Sequence, residues 1–389
     1  MSKIKVVHHS KSVGYSGTDR TAQLFCKYLA TSDRFDPYIV YRFDKTMNTR
    51  LDIAKEWLGE DRVIGYEWDP RDSGRVAPFI PEVSNLSEVL ATIDPDIVHL
   101  HRSGYAEWPG FRYMAPRAKW VETNIFGYAD RTPEQQIDLN IYISDYIRQR
   151  ALEDGNNDGP VLYNPIAQPR YDVLPEVKSA LKVTYCADLG IPRLINGKVP
   201  ILLGRVGRAD NFDPISLRAF AEIEKLHPHA YYLVVNPCDS WRRVATELGI
   251  KNIIFLDPII DDVELSRFYM SLDIYAHARH DGECCPCNIQ EAMMHKLPVV
   301  SHESAIYNGQ AEIVGPAGFV VPMGDHIAYR DVLDQLILNT EFANEDETGL
   351  VGIRDYFALE ARRRAMKYWE AECMTAQLAR YYDWVLAQS

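Results

Sequence analysis

Short apolar runs alternate with helical patterns along almost the whole chain. Ile4–His8 reads as a strand, and a loop with Gly14 and Gly17 follows. A helix is expected from near Thr18, because Ala22, Phe25, Cys26 and Leu29 fall on one helical face. Pro37–Tyr41, Asp96–Leu100, Trp120–Thr123 and Leu139–Ile143 continue the strands, and Ser144 reads as the N-cap of a helix over Asp145–Leu152. Strand, loop, helix and strand in this order predict a parallel sheet covered by helices on both faces. From about Asn164 to Lys198 the rhythm breaks, with four prolines and one short helical stretch near Val177–Leu189, so the interdomain connection is expected there. The alternation restarts at Val199–Leu203 and continues through Ala230–Val235, Ile253–Phe255, Ile274–Ala276 and Val299–Ser301. Tyr356–Ala387 reads as one long helical stretch. Two similar α/β halves predict two Rossmann-like domains facing a central cleft. Ligands then belong beyond the carboxyl ends of the strands, in the loops after Val7, Leu203 and Ala276.

Composition narrows the function classes. A chain of 389 residues favours two or three domains of roughly 100–200 residues each. Its 47% hydrophobic and 25% charged residues exclude a disordered or fibrous protein. Lys plus Arg number 42 against 55 Asp plus Glu, a net charge of −13. That balance weighs against nucleic acid and anionic membrane surfaces as partners, while leaving room for a local basic pocket. No apolar run reaches the roughly 18 residues of a membrane-spanning helix, and the run after Lys5 is too short for a signal-peptide core. Seven mostly isolated cysteines predict free thiols in a reducing, cytoplasmic setting.

The stretch Ala276–Val300 carries the most chemistry. An apolar strand runs into a polar loop, and Pro286 is expected in the first turn of a helix that ends near Lys296. Glu283 in the loop and Glu291 in the helix bracket that turn. The backbone amides of Cys285, Cys287 and Asn288 near the helix N-terminus suit an anion such as a diphosphate. Carboxylates suit sugar hydroxyls, because they accept hydrogen bonds without needing one in return. The plainer alternative is an exposed loop acid and a solvated helix face. The run Cys284-Cys285-Pro286-Cys287, with His280 before it, matches no standard zinc spacing, so no metal is expected.

Glu283, seven residues, Glu291, then Ala292-Met293 and Leu297-Pro298-Val299-Val300 resemble the signature of glycosyltransferase family 4, retaining transferases of the GT-B fold. The resemblance covers most of the chain. Ser16–Arg20 looks like the family's Gly-rich first loop, Pro95–His99 like its mid-domain strand, and Ile143–Tyr146 like the step before the hinge. Asn164-Pro165 sits where the family enters its linker, Leu203-Gly204-Arg205 looks like its phosphate loop, and Gly318–Pro322 is similar to the strand after the signature. The resemblance implies that Glu283 contacts the donor sugar, Glu291 binds the ribose and Arg205 grips the diphosphate. It makes Glu283 and Arg205 the catalytic pair. Arg208, Cys285, Cys287 and Asn288 would join donor binding, and the base would lie against the loop ending at Pro258. Gly14, Gly17 and Asn124 would form the first-domain side of the site. No cofactor is required on this reading.

Three departures from the pattern stand out. The usual lysine after the arginine is absent from Arg205–Phe212, leaving Arg208 as the nearby cation. Cys284-Cys285-Pro286 replaces the usual Gly-Phe-Gly. Asn124 stands where the family often has a histidine. The expected protein is therefore an α/β GT-B enzyme: an acceptor-side domain over 1–170, a nucleotide-sugar domain over 171–365, and a helix over 366–389 crossing back to the first. It would transfer a hexosyl group from a nucleotide sugar, with a lean to GDP-mannose over a UDP-sugar, to a glycan or glycoconjugate hydroxyl. A homodimer is compatible with the sequence. The alternatives are a GT-B sugar-nucleotide epimerase, a phosphorylase and a non-catalytic nucleotide-sugar-binding protein.

Overall fold

The computed structural model describes residues 2–10, 12–14, 16–42, 48–67, 85–102, 111–128, 137–343 and 350–388. The chain divides into two units, one formed by Met1–Ile166 with Glu370–Ser389 and the other by Ala167–Trp369.

The first unit begins with β1 (Ile4–Ser10), α1 (Gly17–Leu29), β2 (Phe35–Arg42), α2 (Leu51–Leu58) and β3 (Val63–Tyr66). It continues through α3 (Leu86–Ile93), β4 (Ile97–Arg102), α4 (Phe111–Met114), β5 (Lys119–Asn124), β6 (Leu139–Tyr142) and α5 (Asp145–Glu153). The strands form one parallel sheet in the order β3-β2-β1-β4-β5-β6. The order reverses direction between β1 and β4, the kind of point where doubly wound sheets bind ligands. The helix starts are chemically marked. Ser16 caps α1 by accepting from the Asp19 amide at 3.3 Å, and Ser144 caps α5 by accepting from Ile147 at 3.2 Å.

The second unit holds α6 (Pro175–Asp188), β7 (Ile201–Val206), α7 (Ile215–Leu226), β8 (Ala230–Val235), α8 (Asp239–Glu247), β9 (Ile253–Leu256) and α9 (Asp262–Ser271). Next come β10 (Ile274–Ala276), β11 (Gly282–Glu283), α10 (Cys287–Met294), β12 (Val299–His302), β13 (Tyr307–Asn308) and α11 (Gly309–Val314). The unit closes with β14 (Gly318–Val321), α12 (His326–Leu338), β15 (Glu341–Ala343), β16 (Leu350–Gly352) and α13 (Ile353–Tyr368). Its main sheet is parallel, in the order β14-β12-β10-β7-β8-β9, and reverses between β7 and β10. The near-continuous apolar strands are what a parallel sheet covered on both faces requires: Leu202, Leu203, Tyr232, Leu233, Ile274, Tyr275, Val299 and Val300 are all fully buried.

Two local expectations need correction. Tyr356–Ala387 is not one helix. It breaks after α13, and α14 (Ala371–Ala387) starts anew with Glu370 as its N-cap, its carboxylate accepting from the Cys373 amide at 2.9 Å. Buried Trp369 sits at the break, and α14 then packs Met374, Leu378, Tyr382 and Val385 into the core of the first unit. Pro286 is not inside the first turn of α10. It is the N-cap residue, extended at φ −74°, and the helix begins at Cys287. That helix ends at Met294, because Lys296 takes a left-handed φ of 59°. The helical stretch expected near Val177–Leu189 is α6 (Pro175–Asp188), which lies in the second unit.

Candidate functional site

Of the sequence-derived candidates of the second unit, Arg205, Arg208, Glu283, Cys285, Cys287, Asn288 and Glu291 lie at or after the carboxyl ends of β7 and β10 in the chain, and Pro258 follows β9. Gly282 has φ +70°, and a Cβ there would collide with Tyr307 O and Ser304 Oγ. A Cβ on Gly309 would meet the Cys284 and Glu283 carbonyls. Both positions must be bare for β11 and β13 to pair side by side, and this pairing presents Glu283.

The Glu283 carboxylate is nearly buried. One oxygen accepts from Arg279 Nη1 at 2.6 Å, and the other lies 3.4 Å from His277 Nε2. Burial alone would raise its pKa. The His277 hydrogen bond and the Arg279 charge outweigh burial, and the carboxyl lies below the usual glutamate range. Burial holds His277 below the ordinary imidazole value, and its other nitrogen meets Ser301 Oγ at 3.0 Å.

Arg205, at the end of β7, is buried. Its Nε donates to Ala278 O at 3.2 Å, its Nη2 donates to Asn211 O, and its guanidinium lies over the Trp241 ring, 4.7 Å from the centre. Nη1 has no hydrogen-bond partner among the described residues. Burial lowers the Arg205 pKa from its ordinary value. A side chain on Gly207 would press on this guanidinium, its Cβ lying 2.8 Å from Nη2. Exposed Arg208 pairs with Asp210 at 2.9 Å, on the loop that follows.

Helix α10 is tied to that same loop. Asn288 Nδ2 donates to Val206 O at 2.8 Å, and Tyr275 Oη donates to the same carbonyl at 3.0 Å. Glu291 accepts from Tyr269 Oη at 3.0 Å. Cys285 is buried, 3.8 Å from Gln290 Oε1, and Cys287 is half-buried. None of the seven cysteines is in a disulfide, and Cys284 and Cys285 are buried in the turn before α10. Pro258 is exposed in the loop after β9.

In the first unit, Gly14 is buried and its carbonyl accepts from Gln23 Nε2 at 2.8 Å, while Gly17 opens α1. Tyr15, within this loop, lies outside the described residues. Asp19 takes hydrogen bonds from Ser10, Ser12 and Ser16 hydroxyls at 2.8–3.0 Å, and burial raises its pKa despite them. Asn124 is fully buried and turns its amide to the backbone: Oδ1 accepts from the Gly127 amide and Nδ2 donates to Tyr128 O, each at 2.8 Å. It therefore shapes a turn at the end of β5.

His8, His99 and His101 bring ring nitrogens within 4.8 Å of one another. The His99 and His101 rings stack at 4.4 Å and 23°, which sets their in-plane lone pairs side by side and not toward a common point. The nitrogens instead form a chain. His8 meets His101 at 2.9 Å and Tyr382 Oη at 3.2 Å, and His99 meets Tyr382 Oη at 2.6 Å and Thr123 Oγ1 at 2.7 Å.

Sequence reasoning placed Glu283, Glu291, Arg205 and Asn288 in this neighbourhood and missed His277, Arg279, Trp241 and Tyr269. Arg279 lies in the loop after β10 and Glu283 four residues on in β11, where spacing alone shows no contact. Trp241 and Tyr269 come from other helices.

Residues 198–339 match the family model described as Glycosyl transferases group 1. The matched stretch lies within the second unit. No curated protein sequence matches the chain. Among solved structures, a glycosyltransferase from Rickettsia africae is 17% identical with a TM-score of 0.72, and the match covers 100% of both chains. Anabaena HepE, in a complex with UDP and glucose, is 17% identical with a TM-score of 0.69, covering 98% of this chain and 99% of that one. Sucrose-phosphate synthase from Thermosynechococcus elongatus is 14% identical with a TM-score of 0.66 over the full length of both. These likenesses establish the GT-B fold. Among the described residues no helix is long and apolar enough to cross a membrane.

Proposed function

We propose that this chain is a retaining glycosyltransferase. It moves a hexosyl group from a nucleoside diphosphate sugar to a hydroxyl of a glycan or glycoconjugate. The observation that carries the reading is the Glu283 carboxylate held by Arg279 and His277 at the switch point of a sheet that matches the glycosyltransferase model, with Arg205 at the end of β7 and α10 bearing Glu291. In this reading Glu283 accepts hydrogen bonds from the donor sugar and Glu291 from the ribose. The free Nη1 of Arg205 faces the leaving diphosphate, whose negative charge grows as the glycosidic bond breaks. Arg208 exchanges Asp210 for a phosphate oxygen. The start of α10, with Cys285, Cys287 and Asn288, borders the diphosphate, and Pro258 borders the base. The second unit takes the donor, and the first takes the acceptor beside the Gly14–Gly17 loop.

A UDP-sugar is the first donor to test, because Anabaena HepE shares this fold and is found in a complex with UDP and glucose. GDP-mannose is the second. Calorimetry against a panel of nucleoside diphosphate sugars tests the reading, since a true donor binds the native chain with one site. Product analysis by proton NMR then tests retention. An inverted anomer would exclude the retaining mechanism, an isomerised free nucleotide sugar would favour an epimerase, and no binding across the panel would sink the assignment.

A further inference from the structure

Glu283 is held from two sides, and the holding groups are themselves held. His277 Nε2 faces a carboxylate, so the ring carries its proton there, and Nδ1 is left to accept from the Ser301 hydroxyl. The Arg279 backbone amide donates to His302 Nε2 at 3.1 Å, and His302 Nδ1 donates to Glu303 O at 2.7 Å. On the far side, the Glu283 amide donates to Gln310 Oε1 at 3.0 Å, and Gln310 Nε2 donates to His302 O at 2.9 Å. Residues from β12 and α11 therefore fix the clamp, and the clamp fixes the carboxylate.

We propose that His277 and Arg279 are positioning residues that hold both oxygens of Glu283, so that it meets the donor sugar as a hydrogen-bond acceptor and never as a proton donor. The inference rests on the reading of Glu283 as a donor-sugar contact. A carboxylate offers about four lone-pair directions, and the clamp occupies two. The remaining two serve sugar hydroxyls. A proton donor at this position would need a neutral carboxyl, and the guanidinium and the imidazole N–H both favour the anion. Other charged or titratable groups around the clamp include Arg205 at the end of β7, Asp213 in the loop after it, Asp281 in the clamp's own turn, and His280 and His302.

The test reads the carboxyl directly in the ligand-free full-length chain. Glutamate labelled with carbon-13 at Cδ is followed by NMR through a pH titration, and the signal absent from Glu283→Gln assigns the residue. The wild-type resonance is expected to titrate below the usual glutamate value of about 4.3. In Arg279→Met the midpoint rises by at least about one pH unit, because burial then acts with less opposition. Arg279→Lys restores most of the depression. If Arg279→Met does not fold, His277→Leu, which removes the other donor, raises the midpoint in the same direction. A wild-type midpoint at or above the usual value, or an unmoved midpoint in the variants, overturns the clamp. With an active donor, the acid limb of kcat/KM follows the NMR midpoint in each variant, and a merely structural role would lower kcat without moving that limb. A depressed carboxyl in a chain that binds no nucleoside diphosphate sugar leaves the clamp standing and rejects the functional reading.

Discussion

The Arg205 guanidinium lies over the Trp241 indole at 4.7 Å while two of its nitrogens are tied to the carbonyls of Ala278 and Asn211. A buried cation needs such partners, because desolvation without them costs several kcal/mol. Trp241 supplies a π face, which is worth about 2 kcal/mol when desolvated, and fills the core under the loop. Trp241→Ala should lower the stability of the second unit by about 3–5 kcal/mol in urea unfolding. Trp241→Phe keeps a ring under the cation and should lose clearly less. Equal losses in the two variants would show that the stacking contributes nothing.

Arg205→Ala and Glu283→Gln should each reduce turnover at least about tenfold, about 1.4 kcal/mol of barrier. Steady-state kinetics with the donor found by calorimetry measures both. Near-wild-type rates in the pair would remove Arg205 and Glu283 from the chemistry.

Acid should weaken the first unit through its buried histidines. Burial pushes His8 and His99 well below the ordinary value, and His101 down to about 3. The unfolded chain binds protons from about pH 6.5 downward, and the folded one does not until far lower. Stability from these groups is therefore complete above about pH 6.5 and is lost as pH falls toward the folded values. Each histidine adds up to about 1.4 kcal/mol per pH unit to the slope. Denaturant midpoints measured between about pH 7 and pH 4 should fall less steeply in His101→Leu than in the wild type.

Gly282→Ala should disturb the site more than the core. The substitution places a Cβ against Tyr307 O and Ser304 Oγ at a left-handed φ, so β11 must leave β13. Turnover should drop by at least about tenfold while far-ultraviolet circular dichroism stays near wild type. An unchanged rate would mean that this pairing does not present Glu283.

The alternation of apolar runs and helical faces made the two parallel sheets legible, because burial on both faces leaves strands such as Ile201–Val206 and Ala230–Val235 almost no polar positions. Caps were equally legible: Ser144 marks α5 through its own side chain. The break at Trp369-Glu370 was not, since both flanking segments have good helix formers and Glu370 there pairs with the distant Ile166. Within the site, the bracketing carboxylates could be read from the chain. Their partners could not. His277 meets Glu283 across a turn in which Gly282 has a left-handed φ of +70°, and Trp241 reaches Arg205 from a helix that follows the next strand. Such contacts depend on topology, which local spacing does not encode.

The first unit is interrupted by the whole of the second, and α14 supplies Leu378, Tyr382 and Val385 to its core. On the ribosome this reverses the usual order of domain completion. The second unit can close its sheet as soon as α13 has emerged. The first must wait with an uncovered apolar face until about two hundred further residues have been made. At roughly 5–20 residues per second, that exposure lasts on the order of ten seconds or more.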